Sequence, residues 1–349
     1  RGERNKKWSN FLTFGRFPVP PRRDCRVLQY ACRYPYLTLK GGEDRVMVVS
    51  LPMVTAYGTE YSRSHEGEKW SVDDRQFAEL LAYLGRSWKG YRKVRKGVKK
   101  RITRHMQQLG CRSMDVYLNM LEADPGARNE CEQLMGVSIS RFFRDRRLWE
   151  VLETRVMPAL IHTGHNPLRA WCAGCACGEE VYSLRMVWDR LPGKLKNPPE
   201  LKVTGTDMNP VHLERARAGV YPISSLKEVP GAVREKYFRA TEDGKGFQVA
   251  AFLQSGIAWQ CMDLRSVPIG PPFHLILLRN GLLTYYEEPT QITVLRAILK
   301  RLAIGGYLII GSHERLPADI PDLVQAGPLP YLFELKGSRV QGSGFKGWG

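Results

Sequence analysis

The sequence predicts an α/β chain, a Rossmann-like, mostly parallel sheet preceded by a small all-α domain. Two observations carry this. Residues 165–337 alternate short apolar runs with helical patterns, as a doubly wound sheet does. Four of those runs end in polar groups: residues 169–184 read RAWCAGCACGEEVYSL, 201–215 LKVTGTDMNPVHLER, 257–264 IAWQCMDL and 272–286 PFHLILLRNGLLTYY. Open parallel sheets bind nucleotide-like ligands at the carboxyl ends of their strands. The order here, a small-residue loop with Glu, then Asp, Asp and Asn, suits S-adenosylmethionine better than a dinucleotide and points to methyl transfer.

Residues 1–70 are rich in Arg and Pro and hold no sustained period. They read as unstructured, or as sequence upstream of a natural start at Met47 or Met53; a hairpin turning at Gly41-Gly42 is the alternative. Residues 71–158 read as a helical domain. Ser71, Asp73 and Asp74 suit a cap for FAELLAYL. Trp88, Tyr91, Val94, Val98, Ile102, Met106 and Leu109 recur at helical spacing among Lys and Arg, predicting one amphipathic helix with a basic outer face. Asp124-Pro125-Gly126 breaks a helix begun near Val116, and residues 130–135 and 148–160 resume the pattern around VSISRFFRDR. Residues 159–337 form the sheet domain, with crossover helices at 213–218 and 291–302, a strand YLIIGS after Gly305-Gly306, and a last antiparallel strand at 331–336. Residues 338–349 read as a flexible tail.

Composition bounds the function. No apolar run reaches the length of a membrane span and no secretory pattern opens the chain, so a cytoplasmic protein without membrane insertion is expected. The eight cysteines are unevenly spaced, which argues against a disulfide framework. The net charge of +18 is local: residues 1–46 carry +7, and residues 86–104 hold ten Lys/Arg without one acid.

The loop 172–180 offers small residues and free helix amides to a ligand, and Glu179-Glu180 adds carboxylates that suit an amino group and a sulfonium. Asp207, just after a strand, is placed to accept ribose hydroxyls, a reading preferred to a plain helix cap. Asp263 suits the adenine amino group or a solvated turn. Asn280 ends a central strand where the methyl acceptor must enter, and Arg279 beside it reads as structural. Phe142 and Phe143 pin one domain on the other, or Arg144 holds a carboxylate by bidentate contact; the residues alone leave these even. Cys172, Cys175 and Cys177 read as small packing residues in preference to a metal or redox site.

From about Asp74 to Lys336 the chain resembles the CheR family, the protein-glutamate O-methyltransferases of chemotaxis receptors. That family's N-x-T-x-F-F-R-D appears as VSISRFFRD at 137–145, and W-S-A-x-x-S-T-G-E-E-P-Y-S as WCAGCACGEEVYS at 171–183. S-D-I-D appears as TDMN at 206–209 and A-R-x-G-x-Y as ARAGVY at 216–221. F-D-x-I-x-C-R-N-V-x-I-Y-F corresponds to FHLILLRNGLLTYY, and P-G-G-x-L-x-x-G-x-S-E to IGGYLIIGSHE at 304–314. By position, the resemblance implies cofactor contacts at Ser138, Ser140, Arg144, Glu180, Asp207, Met208, Asp263, Leu264, Asn280 and Gly281. Ser138 and Ser140 replace Asn and Thr, Asp263 replaces Asn, and Gly281 replaces a branched apolar residue. The acceptor loop is one residue longer than usual, and counting back from Gln291 places its tyrosine at Tyr285.

The implied reaction moves a methyl from S-adenosylmethionine to a glutamate carboxylate of a protein, leaving S-adenosylhomocysteine, with no metal. Arg144 and Tyr285 are the expected catalytic residues, orienting the acceptor. The implied partner is an acidic protein, the cytoplasmic helices of a methyl-accepting chemoreceptor, docked by the basic helix from Trp88 to Met106. The family's tethering subdomain would fall near residues 238–256, which look short and give no clear tether. The competing readings are an RNA or DNA methyltransferase, suggested by the basicity, and a non-catalytic S-adenosylmethionine sensor. The first lacks its Asn/Asp-Pro-Pro-aromatic signature, since Arg-Asn-Gly-Leu stands after the fourth strand.

Overall fold

The computed structural model describes residues 36–41 and 45–50 by their backbone, and residues 71–191, 198–267, 270–317 and 322–337 in full. The expected tail at 338–349, the start at Met53 and the Arg/Pro-rich opening lie outside the described residues. The chain divides into two units, residues 1–68 and 69–349. In the first, β1 (Tyr36–Gly41) pairs antiparallel with β2 (Arg45–Ser50), with Gly41 opposite Arg45. These are the two strands of the alternative hairpin reading, and residues 42–44 between them lie outside the described residues.

The second unit opens with α1 (Asp74–Tyr83), started by a capping box in which Asp73 and Gln76 satisfy each other's backbone amides. The single basic helix expected from Trp88 onward is two pieces, α2 (Trp88–Tyr91) and α3 (Arg95–Gln108). The break falls at residues 92–94, where Val94 N closes a turn on Tyr91 O at 2.9 Å. Ser87 N donates to Tyr285 O at 2.9 Å and Glu287 N to Gly85 O at 3.0 Å, so the turn before α2 is committed to a distant loop. The apolar stripe survives the break: Tyr91, Val98, Ile102 and Met106 are buried with Phe77, Leu80 and Leu81. Asp124 ends α4 (Met114–Ala123) and caps α5 (Pro125–Leu134), accepting from Gly126 N and Ala127 N. After the VSISRFFRD segment, α6 (Arg146–Val151) passes through a π turn at Leu152–Val156 into α7 (Met157–His162).

The sheet domain follows: β3 (Leu168–Ala173), α8 (Glu179–Arg190), β4 (Leu201–Asp207), α9 (Pro210–Ala218), β5 (Val220–Tyr221), α10 (Gly231–Tyr237), β6 (Phe238–Ala240), β7 (Phe247–Val249), β8 (Ile257–Cys261), β9 (Phe273–Leu278), α11 (Leu282–Tyr285), α12 (Glu288–Leu299), β10 (Leu302–Ile310), β11 (Leu323–Gln325) and β12 (Leu332–Leu335). The seven-stranded order is β11-β12-β10-β9-β3-β4-β8. β8, β4, β3, β9 and β10 are mutually parallel, whereas β12 runs antiparallel to β10 and β11. β11 was not anticipated, and Leu302, expected to end a helix, begins β10. β5, β7 and β6 make a separate small antiparallel sheet. The crossovers leave β3 in one direction toward β4 and β8, and the chain returns on its other side through β9 and β10. That reversal lies between β3 and β9, and it opens a crevice above their carboxyl ends.

Candidate active site

Two connected lobes occupy that crevice, sharing Val137, Gly174, Ala176 and Asn280. Of the residues expected at the site, Ser138, Asp207, Met208, Leu264, Asn280, Gly281 and Tyr285 line the first lobe. Ser140, Arg144, Glu180 and again Asn280 line the second. Asp263 lines neither. Its carboxylate accepts from Arg265, which donates its backbone N (2.7 Å) to Oδ1 and its Nε (3.0 Å) and Nη2 (2.6 Å) to Oδ2. The Arg265 cation also outweighs burial and holds the Asp263 carboxyl below its ordinary range.

The loop after β3 approaches β4 closely. Ala176 N donates to Asp207 Oδ2 at 2.9 Å, and Gly174 and Cys175 both donate to Thr206 O at 2.8 Å. Asp207 Oδ1 accepts from Asn209 N at 2.9 Å and lies 3.2 Å from His212 Nδ1. The cap of α9 is Asn209, which accepts from Val211 N, so the helix-cap alternative for Asp207 falls, and Asp207 lines the first lobe. Ala176 and Asn280 both adopt positive φ (48° and 54°), a costly backbone for non-glycine residues that concentrates at functional sites.

Glu180 and Arg279 were not seen as a pair in the sequence. Arg279, only 7 % exposed, donates from Nη1 to Glu180 Oε2 at 2.6 Å and from Nη2 to Asp145 Oδ2 at 2.5 Å. This ties the strand end, the α8 terminus and the FFRD segment together. Phe142 and Phe143 are buried: Phe142 packs edge-on to Tyr221 and Phe238 (4.8 and 4.9 Å between centroids) and Phe143 N donates to Ser183 Oγ. The two aromatics therefore pin the segment, and Arg144 is left beside the second lobe with Nη1 on Ile139 O at 3.1 Å.

Sequence reasoning also missed Glu314, although it quoted the motif that contains it. Glu314 accepts from Asn280 N (2.9 Å), Thr284 Oγ1 (2.5 Å) and Gly311 N (2.7 Å), bracing the acceptor loop. Gln291 Nε2 reaches back to Tyr286 O at 2.7 Å. The Tyr285 ring lies 4.9 Å from that of Tyr91, tilted by 55°; burial raises its phenol above the ordinary range, with Arg144 opposing. Burial likewise pushes the Cys172 and Cys175 thiols well up, which removes thiolate character and agrees with a packing role.

The expected uncompensated cation run is partly compensated. Arg95 and Lys99 pair with Asp74 (3.2 and 2.6 Å), and Arg101 donates to Leu134 O and Gly136 O. Lys89, Arg92, Lys93, Lys96, Lys100 and Arg104 stay exposed, without an ion pair among the described residues. Among those residues no helix is long and apolar enough to cross a membrane.

The residues fit S-adenosylmethionine. Asp207 stands at a strand end and Glu180 at the start of α8, a Cβ on Gly174 would come into contact with Leu264 Cδ1 at 3.6 Å, and buried Arg86 donors in the cleft wall lack an acceptor among the described residues. The sheet order with this crevice defines a class I, S-adenosylmethionine-dependent methyltransferase. Residues 138–330 match the family described as CheR methyltransferase, SAM binding domain, and the chain belongs to that family. The chemotaxis protein methyltransferase of Listeria monocytogenes is 30% identical over 205 residues, 58% of this chain and 76% of that protein. Chemotaxis protein methyltransferase 1 of Pseudomonas aeruginosa is 30% identical over 243 residues, 66% and 86% respectively. The probable chemotaxis protein methyltransferase of Rhizobium etli is 29% identical over 245 residues, 68% and 91%.

Proposed function

We propose that this chain esterifies glutamate side chains of a signalling protein, a chemoreceptor or a close analogue, by methyl transfer. One observation carries the reading: a cleft suited to the cofactor is walled by Arg144, Asn280 and Tyr285 on a loop fastened by its backbone to the basic helical domain. The names of the relatives supply the chemotaxis context.

When bound, S-adenosylmethionine supplies an electrophilic methyl on a sulfonium. An acceptor glutamate is ionised at neutral pH, its ordinary pKa being near 4.3, so no general base is needed. The protein's work is then to align and desolvate. Arg144 offers a fork of donors to the acceptor carboxylate, and Tyr285, kept protonated by burial, offers an O–H. Asn280 and Gly281 form the floor of the entry, held by Glu314. Asp207 holds the ribose hydroxyls. The exposed cations of α2 and α3 steer an acidic helix toward this entry.

The test is transfer of a labelled methyl from S-adenosylmethionine to a receptor signalling fragment. Label released as methanol by mild base, and lost when the acceptor Glu is changed to Gln, supports the ester. Base-stable label, or transfer to RNA in preference to acidic protein, sinks it.

A further inference from the structure

Arg86 begins the basic run but is 6 % exposed. Its guanidinium lies 3.7 Å above the Tyr286 ring, and Nη2 stands 3.7 Å from Glu132 Oε2, outside hydrogen-bond range. Nε and Nη2 are buried with no hydrogen-bond partner among the described residues, and Arg86 lines the first lobe of the cleft. A buried, unpaired donor edge is costly in an empty protein, so its place in a ligand cleft asks what it donates to.

The local charge decides the class of partner. Arg265 donates to both Glu132 and Asp263, so inside the cleft wall two guanidinium groups face two carboxylates and balance; the third cation on Glu132, Arg128 at 3.7 Å, is 44% exposed and screened by solvent. No positive excess remains to hold an anion, whereas a neutral acceptor fits. The surrounding walls are apolar and flat: the Tyr286 ring, Leu264, Met208 and Met135. They stand beside the carboxyl ends of β4 and β8, next to Asp207. That is a slot for an aromatic heterocycle.

We propose that Arg86 recognises the purine ring of the cofactor, its Nε/Nη2 edge donating to a ring nitrogen. A donor from the helical domain thereby reads a ring nitrogen, a contact distinct from the amino-group contact that the resemblance implies for Asp263. The inference rests on cofactor binding by this family and not on the identity of the methyl acceptor.

The experiment is calorimetric titration of S-adenosylhomocysteine and its 1-deaza, 3-deaza and 7-deaza adenine analogues into the full chain, wild type, Arg86→Met and Arg86→Lys. A charged hydrogen bond predicts that at least one analogue binds wild type roughly tenfold or more weakly. Arg86→Met then loses the same factor for S-adenosylhomocysteine and no longer distinguishes that analogue, while Arg86→Lys keeps part of the discrimination. Wild type binding all three analogues as tightly as the parent overturns the proposal, because no ring nitrogen is then read. So does undiminished discrimination in Arg86→Met. Thermal unfolding reports whether the variants fold; if Arg86→Met does not, the wild-type series and Arg86→Lys decide, unchanged discrimination in the lysine variant being the refuting result. Methylation is read separately, so failure of the glutamate acceptor leaves this outcome intact.

Discussion

Gly90 is where the helical domain meets the acceptor loop, and Gly90→Ala tests whether that junction positions the chemistry. A Cβ there would overlap the carbonyl oxygen of Thr284 and lie 2.9 Å from its carbonyl carbon and 3.2 Å from Tyr285 Cα. These are backbone atoms that no rotamer change can clear. Ordinary carbon contacts lie near 3.5–4.0 Å, so α2 and the loop must separate by about 1 Å. The Ser87–Tyr285 and Glu287–Gly85 hydrogen bonds resist this movement. Overpacking of this kind costs about 1–3 kcal/mol of stability. A 1 Å misplacement of a positioning group costs on the order of a hundredfold in rate. Asp207 and Met208 stand on β4 and its following turn, away from the junction, whereas Arg86 lies on it, so S-adenosylhomocysteine affinity should fall by no more than the roughly tenfold assigned to Arg86, well short of the loss in turnover. The assay is kcat/KM for methyl transfer beside calorimetric cofactor affinity, with Gly97→Ala as control, where the nearest neighbour of a Cβ is Arg101 Nη1 at 3.9 Å. A Gly90→Ala enzyme within threefold of wild type in turnover, and equally stable, would refute the positioning argument.

Asp207→Ala removes the acceptor of Ala176 N and Asn209 N together with the ribose ligand, and should weaken S-adenosylhomocysteine by roughly ten- to a hundredfold in calorimetry. Reversing Lys93 and Lys96 to Glu should raise KM for an acidic acceptor about tenfold at low salt and abolish its salt dependence, with cofactor affinity unchanged; an unaltered KM would remove α3 from docking. His274, buried in β9 and accepting from Arg169 N, has its pKa lowered to about 4 by burial, with His165 and Arg169 adding to the effect. The unfolded chain takes up this proton near 6.5 and the folded chain does not, so stability present above about 6.5 is lost as pH falls toward 4. The loss amounts to about 2 kcal/mol between pH 7 and pH 5, seen as a falling Tm that His274→Gln should flatten.

What the sequence revealed and what it hid separate along contact range. Strand ends are local: an apolar run followed by Asp207 or Asn280 states both the strand and the side chain it presents, and these residues line the cleft. The break between α2 and α3 leaves no such mark. The apolar spacing continues through it, while the segment leading into α2 is held through Ser87 N by Tyr285 O, far away in sequence. The partner of Asp263 stood in plain view, since Arg265 two positions on has the reach to pair with its carboxylate. Arg86 was hidden by its own company: within a run of cations it reads as one more solvated charge, yet Tyr286 and Glu132, distant in sequence, enclose it. Glu314 and Arg279 show the same limit with more consequence. Each fixes the loop around Asn280 by ionic hydrogen bonds to segments 30 or more positions away. Buried ion clusters contribute little net stability when complete but are costly to break, so their effect is to hold one arrangement against its neighbours. Under the mechanism we propose, methyl transfer by alignment asks just that of Arg144, Asn280 and Tyr285, and the buried charges do gather behind these residues while the surface of α3 carries its cations in the open.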